Sequence, residues 1–289
     1  MSKKTKWIAT AAVVVLAGIG VWGVQQNHKQ STSQTQVTLG TIGSDAKIWN
    51  YIAKLPETKK DHIDLKVENF TDGVTLNKAT TQGKVDVNAF QSYAYLVAYN
   101  KNNPDHKLSI LGTTYLEPMG IYSKKYHSLK QIPNGATIAI ANNPANTSRG
   151  LQLLAKAGLI TLKPNFGSLS GVNDIKSNPH DFKFKEIDDT TGPRVIDDQG
   201  IAAALIGNTI ALEGHLNVLH NSLYHEKVDQ STKDNINILA TAANSKKKAQ
   251  YKKLVKLYHS PKVQKYIDKE FDGTKINVEK PVSYLTDKK

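Results

Sequence analysis

No cysteine occurs among the 289 residues of the chain. That absence excludes structural disulfides, thiolate metal sites, a cysteine nucleophile and a thioether-linked lipid anchor. Arginine is scarce as well. Of 38 basic residues only Arg149 and Arg194 carry a guanidinium, so a planar, bidentate donor exists in two places. Catalytic patterns are missing too. Residues 167–171 have the outline of a nucleophile elbow, but the central residue is Leu169, so they read as a loop. His215, His220 and His225 recur every five residues, which on a helix turns each about 140° from the last and denies them a shared metal-binding face. There is no phosphate-binding loop. The pairs Asp188-Asp189 and Asp197-Asp198, flanked by Thr, Gly and Pro, read first as loop and cap residues. These absences favour binding over catalysis, with neither metal nor cofactor expected.

What is present is a chain of ordinary globular composition, 39% hydrophobic, long enough for one large domain or two lobes. The formal charge is +13, of which Lys3, Lys4, Lys6 and Lys29 belong to an acid-free N-terminal segment. The remaining positive charge is scattered lysine with one cluster from Lys246 to Lys253. Without stacking aromatics or a reading motif, that cluster is a solvated face or an attraction to an anionic membrane or wall, and no nucleic-acid partner is expected.

Residues 7–24 form an uncharged, mostly apolar stretch behind three lysines. As a helix it spans about 27 Å, enough to cross a bilayer core. The lysines orient the body of the chain outside the cell. Leu16-Ala17-Gly18 resembles the approach to a lipoprotein cleavage site, but Ile19 stands where a cysteine is required, and no Ala-x-Ala cleavage signal follows. The stretch has the shape of a signal segment or a short membrane anchor; the missing cleavage signals favour an uncleaved anchor, with residues 25–36 as a Gln/Ser/Thr-rich tether, placing the protein at the extracellular face of the cell membrane.

From residue 37 onward strands and helices alternate. Strands are expected at 37–41, 63–67, 85–90, 109–112, 137–141, 201–206 and 236–240. Helices are expected at 46–53 and 75–82 and through the lysine-rich sequence to about Phe271. Alternation of this kind implies an α/β fold with mostly parallel sheet and a ligand site beyond the carboxyl ends of the strands.

Arg149 lies where the 137–141 strand passes through a polar turn into an amphipathic helix that stops at Gly158. Asn146, Thr147 and Ser148 are all capping types, so the helix is expected to begin near Thr147 or Ser148, with Arg149 in its first turn. A cation there opposes the helix dipole. Two explanations fit: an anion shared between the guanidinium and the free backbone amides, or an ion pair with a nearby carboxylate.

Several segments in order resemble the substrate-binding lipoproteins of methionine ABC importers, the NlpA/MetQ family: Phe70-Thr-Asp, Gly83-Lys-Val-Asp-Val-Asn-Ala-Phe-Gln91, Glu117-Pro-Met-Gly-Ile-Tyr-Ser123, residues 142–160, Asp174-Ile175, Asn178-Pro179 and Pro193-Arg194. The resemblance implies a type II periplasmic-binding-protein fold, two α/β lobes joined by two crossing strands and enclosing a ligand, preceded here by the N-terminal membrane segment of residues 1–35. Lobe 1 would comprise residues 36–118 plus 240–289 and lobe 2 residues 119–239, with crossings at 117–123 and 236–240. It also implies that Asn146 and Arg149 grip a ligand carboxylate and that Phe90, Tyr93, Tyr95 and Tyr115 wall its side chain. The implied partners are a small-molecule ligand, an ABC permease and its ATPase.

Two departures bear on the ligand. The family's Phe-Gln-His becomes Phe90-Gln91-Ser92, and the Asn of its Ile-Asn-x-x-Tyr-Ala segment becomes Gly207, leaving Asn208 beside it as a substitute. Losing a partner for a buried charged group costs on the order of 2 to 5 kcal/mol. The resemblance implies binding of methionine or a related amino acid; these two departures leave open a pocket remade for another amino acid or a short peptide, and a basic surface adhesion protein with a vestigial cleft is the alternative of a different class.

Overall fold

The computed structural model describes residues 34–227 and 230–287; the proposed anchor at residues 7–24 lies outside them. Among the described residues no helix is long and apolar enough to cross a membrane.

Two five-stranded sheets organise the chain. The first runs Ile63–Phe70, Thr35–Ile42, Val87–Ser92, Asn237–Ala242, Leu108–Thr113, and the second Lys183–Ile187, Thr137–Ala141, Ala203–Gly207, Met119–Tyr122, Tyr224–His225. Each is half parallel and half antiparallel rather than mostly parallel. The antiparallel pairs arise where the chain changes lobe: Asn237–Ala242 enters the first sheet from the second lobe, and Met119–Tyr122 enters the second sheet from the first. The forward crossing is therefore made at residues 116–119. The return enters the first sheet at Asn237, so residues 236–240 lead into and largely form an inner strand of that sheet instead of a crossing.

Each sheet buries its own core. In the first lobe the helix Ala46–Ala53 turns Ile48, Trp49 and Ile52 onto the sheet, and the helix Lys248–Tyr258 adds Tyr251, Leu254 and Tyr258. Ile48, Trp49 and Ile52 follow the i, i+1, i+4 spacing of one helical face. In the second lobe the strand Thr137–Ala141 is apolar after Thr137 and buried at Ile138, Ala139, Ile140 and Ala141, as a strand covered on both faces must be. The helix Pro144–Lys156 packs Leu151, Leu153 and Leu154 against that sheet. Gly150 permits the close approach, since a Cβ there would lie 2.7 Å from Leu205 Cδ1.

Candidate cleft between the lobes

The helix that carries Arg149 starts earlier than its polar sequence suggests. Pro144 occupies the first helical position, where its missing N–H costs nothing, and the Asn143 side chain caps the helix by accepting from Asn146 N–H. Arg149 is thus the sixth helical residue and not part of the first turn, so the free helix amides do not explain its charge. A carboxylate does. Arg149 Nη2 lies 2.6 Å from Glu226 Oε2, Nε donates to Oε1 at 3.0 Å, and Nη2 also donates to the Glu117 carbonyl at 2.6 Å. Burial opposes the guanidinium charge, but Glu226 outweighs it and the pKa is raised overall. Of the five guanidinium donors this leaves the Nη1 pair without a partner among the described residues.

Arg149 lines a partly open cavity between the lobes, with a volume of about 90 Å³. Since about 10–15 Å³ of such space suffices for one water, the cavity has room for several waters or a small ligand. Phe90, Ser92, Gly73 and Tyr95 line it from the first lobe; Asn146, Asp189 and Gly207 line it from the second. Glu117 and Asn237, at the two crossings, complete the wall. Gly73 makes room for the aromatic side, because a Cβ there would meet Phe90 Cε2 at 2.6 Å and Tyr95 Oη at 2.7 Å. Ser92 serves the fold as well as the lining: its Oγ accepts from Tyr95 N–H and caps the helix Tyr93–Asn102. Gln91, also in this wall, is fixed by a buried amide cluster, donating to Asn77 at 2.8 Å and Asn88 at 2.7 Å.

Three expected site residues lie elsewhere. Tyr115 is buried in the first core and donates to Asp45 Oδ2 at 2.5 Å. Tyr93 packs with Leu96 and Ile238 in a separate cluster away from the cavity. Asn208 is buried at the lobe junction, donating to Glu117 Oε2 at 3.1 Å and Thr274 Oγ1 at 3.0 Å. Asn146 does line the cavity, but its amide binds Asp189 Oδ2 at 2.6 Å and not Arg149. Gly207 faces open space, with nothing within 4 Å of where a Cβ would stand. The exposed Arg194 takes no part.

Beneath the cavity a second ionic cluster joins the lobes. Lys275, fully covered, contacts Asp45 Oδ1 at 2.8 Å and Glu117 Oε2 at 2.7 Å, donates to Thr209 Oγ1 at 2.5 Å, and stands 4.1 Å from the Tyr115 ring centroid. Asp45 and Lys275 belong to the first lobe, Thr209 to the second, and Glu117 to the crossing. One cation cannot balance two buried carboxylates equally. Burial raises the pKa of both; at Glu117, Lys275 and the Asn208 amide outweigh it and hold the group below its ordinary value, whereas at Asp45 burial prevails and the pKa is raised. Sequence reading missed Glu226, Lys275 and Asp189 as site groups. Only Asp189 left a signal, in the Asp188-Asp189 pair, where Asp188 does cap the turn by accepting from Thr190 N–H.

The NlpA lipoprotein family model matches residues 37–279. The chain belongs to that family. Lipoprotein 28 of Escherichia coli (strain K12) is 32% identical over 94% of this chain and 98% of its own length. The methionine-binding lipoprotein MetQ of Bacillus subtilis (strain 168) is 34% identical over 93% of this chain and 97% of its own. Among solved structures, protein PG110 from Staphylococcus aureus superposes with a TM-score of 0.81 at 36% identity, covering 86% of this chain and 97% of that one. A nutrient binding protein from Burkholderia cenocepacia bound to methionine gives 0.77 at 36% identity, covering 83% and 99%. The fold is that of the type II periplasmic binding proteins. Family members carry lipoprotein names, whereas this chain has no cysteine to lipidate. Among the described residues no group of three His, Asp or Glu could hold a metal ion.

Proposed function

We propose that this protein is the extracellular substrate-binding component of an ABC importer, closing its lobes around methionine or a related amino acid and presenting it to a permease driven by an ATPase. The observation that carries this reading is the interlobe cavity with Arg149 in its wall, its Nη1 donors without a partner among the described residues. A relative of 36% identity holds methionine, and another is named as a methionine-binding lipoprotein. In the proposed complex Arg149 Nη1 receives the ligand carboxylate, and Phe90 and Tyr95, an edge-to-face pair with centroids 5.6 Å apart, receive its side chain. Asn146, Ser92 and Gly207 shape the remainder of the pocket. Tyr115 and Asn208 support it from behind through Asp45 and Glu117, and Tyr93 takes no part.

Tethering falls to residues 7–24, retained as an anchor in place of a lipid. Mass spectrometry of protein recovered from cells is expected to find the N-terminus intact, and a shortened one would refute retention. The binding reading is tested by thermal unfolding with each of the common amino acids. A ligand at a hundredfold excess over its Kd stabilises the folded state by about 2.7 kcal/mol. A rise in Tm is expected with methionine or a close analogue, and no rise with any of them refutes the proposal.

A further inference from the structure

Apart from the Tyr95 phenol, three ionisable side chains line the cleft cavity: Glu117, Arg149 and Asp189. Two are ion-paired, Arg149 with Glu226 and Glu117 with Lys275. Asp189 is not. Its Oδ2 accepts from Asn143 Nδ2 at 2.8 Å and Asn146 Nδ2 at 2.6 Å, both neutral donors, and no cation pairs with it among the described residues. Half-buried and held only by neutral donors, this carboxylate leaves a counter-charge to be supplied. Burial raises its pKa, the two amides oppose that rise, and the neighbouring Asp188 adds to it. The same cavity presents the Phe90 and Tyr95 rings. The Tyr95 hydroxyl is pushed up first by burial and then by the charge of Asp189, which places the phenol within the field of that carboxylate. An aromatic wall beside an unpaired carboxylate attracts cations.

We infer that Asp189 receives a cationic nitrogen of the ligand, so that the cleft selects small zwitterions bearing a free ammonium group and rejects their deaminated counterparts. This inference rests on the reading of the cleft as a small-molecule site. The two poles of the ligand then meet opposite charges in one wall, Arg149 for the carboxylate and Asp189 for the ammonium. Asp189 also restores a polar partner to a pocket in which Ser92 and Gly207 stand where the resemblance implies larger polar side chains.

Asp189 has a structural role besides. It ties residues 189–191 to the first turn of the helix Pro144–Lys156, whose positive end favours a carboxylate. A purely structural tie would weaken every ligand alike. Calorimetry on the full chain separates the two, using L-methionine against 4-(methylthio)butanoate, which lacks only the amino group, and L-leucine against 4-methylpentanoate as a second pair. In the wild type the amino acid of at least one pair is expected to bind about 10- to 100-fold more tightly than its deaminated analogue. Asp189→Asn, nearly isosteric, is expected to lower affinity for that amino acid by a similar factor while changing the analogue less than about threefold. Unfolding curves of the variant confirm that it is folded. Equal weakening of both members of a pair, or an unchanged preference for the amino acid, overturns the inference and leaves the cleft assignment standing. Failure of all four compounds to bind the wild type overturns the inference together with the assignment beneath it.

Discussion

Arg149 and Lys275 are both buried cations held against carboxylates, but they spend their donors differently. The ammonium of Lys275 has three donors and three acceptors around it, on Asp45, Glu117 and Thr209, so nothing remains for a ligand. The guanidinium of Arg149 has five donors and uses three, because Glu226 engages one edge of the fork and the Glu117 carbonyl one further N–H. A compact point charge is consumed by the junction it holds together; a planar fork holds its junction and keeps two donors over. The scarcity of arginine in this chain therefore has a local meaning at position 149.

The largest expected effect breaks the Lys275 side of that comparison. Lys275→Met leaves Asp45 and Glu117 buried without a cation, and a loss of about 3 to 5 kcal/mol is expected in urea unfolding at neutral pH. That loss should shrink as pH falls and the carboxylates protonate. In the wild type the pH dependence has a definite sign. Glu117, held below its ordinary value of 4.5, contributes stability that is present above that value and lost as pH falls through its lower folded value. Asp45, raised, contributes in the opposite sense, its share being lost as pH rises through its folded value. Glu117→Gln should accordingly flatten the acid limb of the stability curve.

On the arginine side, Glu226→Gln removes the competitor for the guanidinium. Stability is expected to fall by about 2 kcal/mol, since charged hydrogen bonds become neutral ones, while affinity for a carboxylate ligand rises by up to about tenfold in calorimetry. Ser92→Ala should cost about 1 kcal/mol in thermal unfolding through loss of a helix cap. Smallest is Gly207→Asn. The backbone there, φ −67° and ψ 148°, accepts any residue, and Asn caps the following helix slightly better than Gly, so stability should change by only about a few tenths of a kcal/mol. The added amide enters the open space at the cavity, and a change in ligand affinity without a change in stability marks Gly207 as part of the pocket.

Local patterns are legible in the sequence where a single element carries them. The run at Thr137–Ala141 is apolar at Ile138 and Ile140 and small at Ala139 and Ala141, so its residue types alone mark it as a buried strand. The start of the Arg149 helix is obscured in the sequence because Asn143 and Pro144 resemble the turn they end. Tyr115 and Tyr95 are alike by type, and only the packing shows that one faces Asp45 in the core and the other the cavity. The pairings of Arg149 with Glu226 and of Lys275 with Glu117 join residues 77 and 158 positions apart, which no local pattern encodes. Resemblance to a family supplies the two-lobed frame; it does not supply Asp189, whose role depends on charges brought together by folding.

The central claim is that the unspent arm of Arg149 holds a ligand carboxylate. Calorimetry of L-methionine binding to the wild type and to Arg149→Lys tests it directly, since lysine keeps the charge for Glu226 but lacks the forked second arm. Affinity is predicted to fall by about 10- to 100-fold in the variant while its fold is retained. Equal affinity of the two proteins for L-methionine would contradict the account.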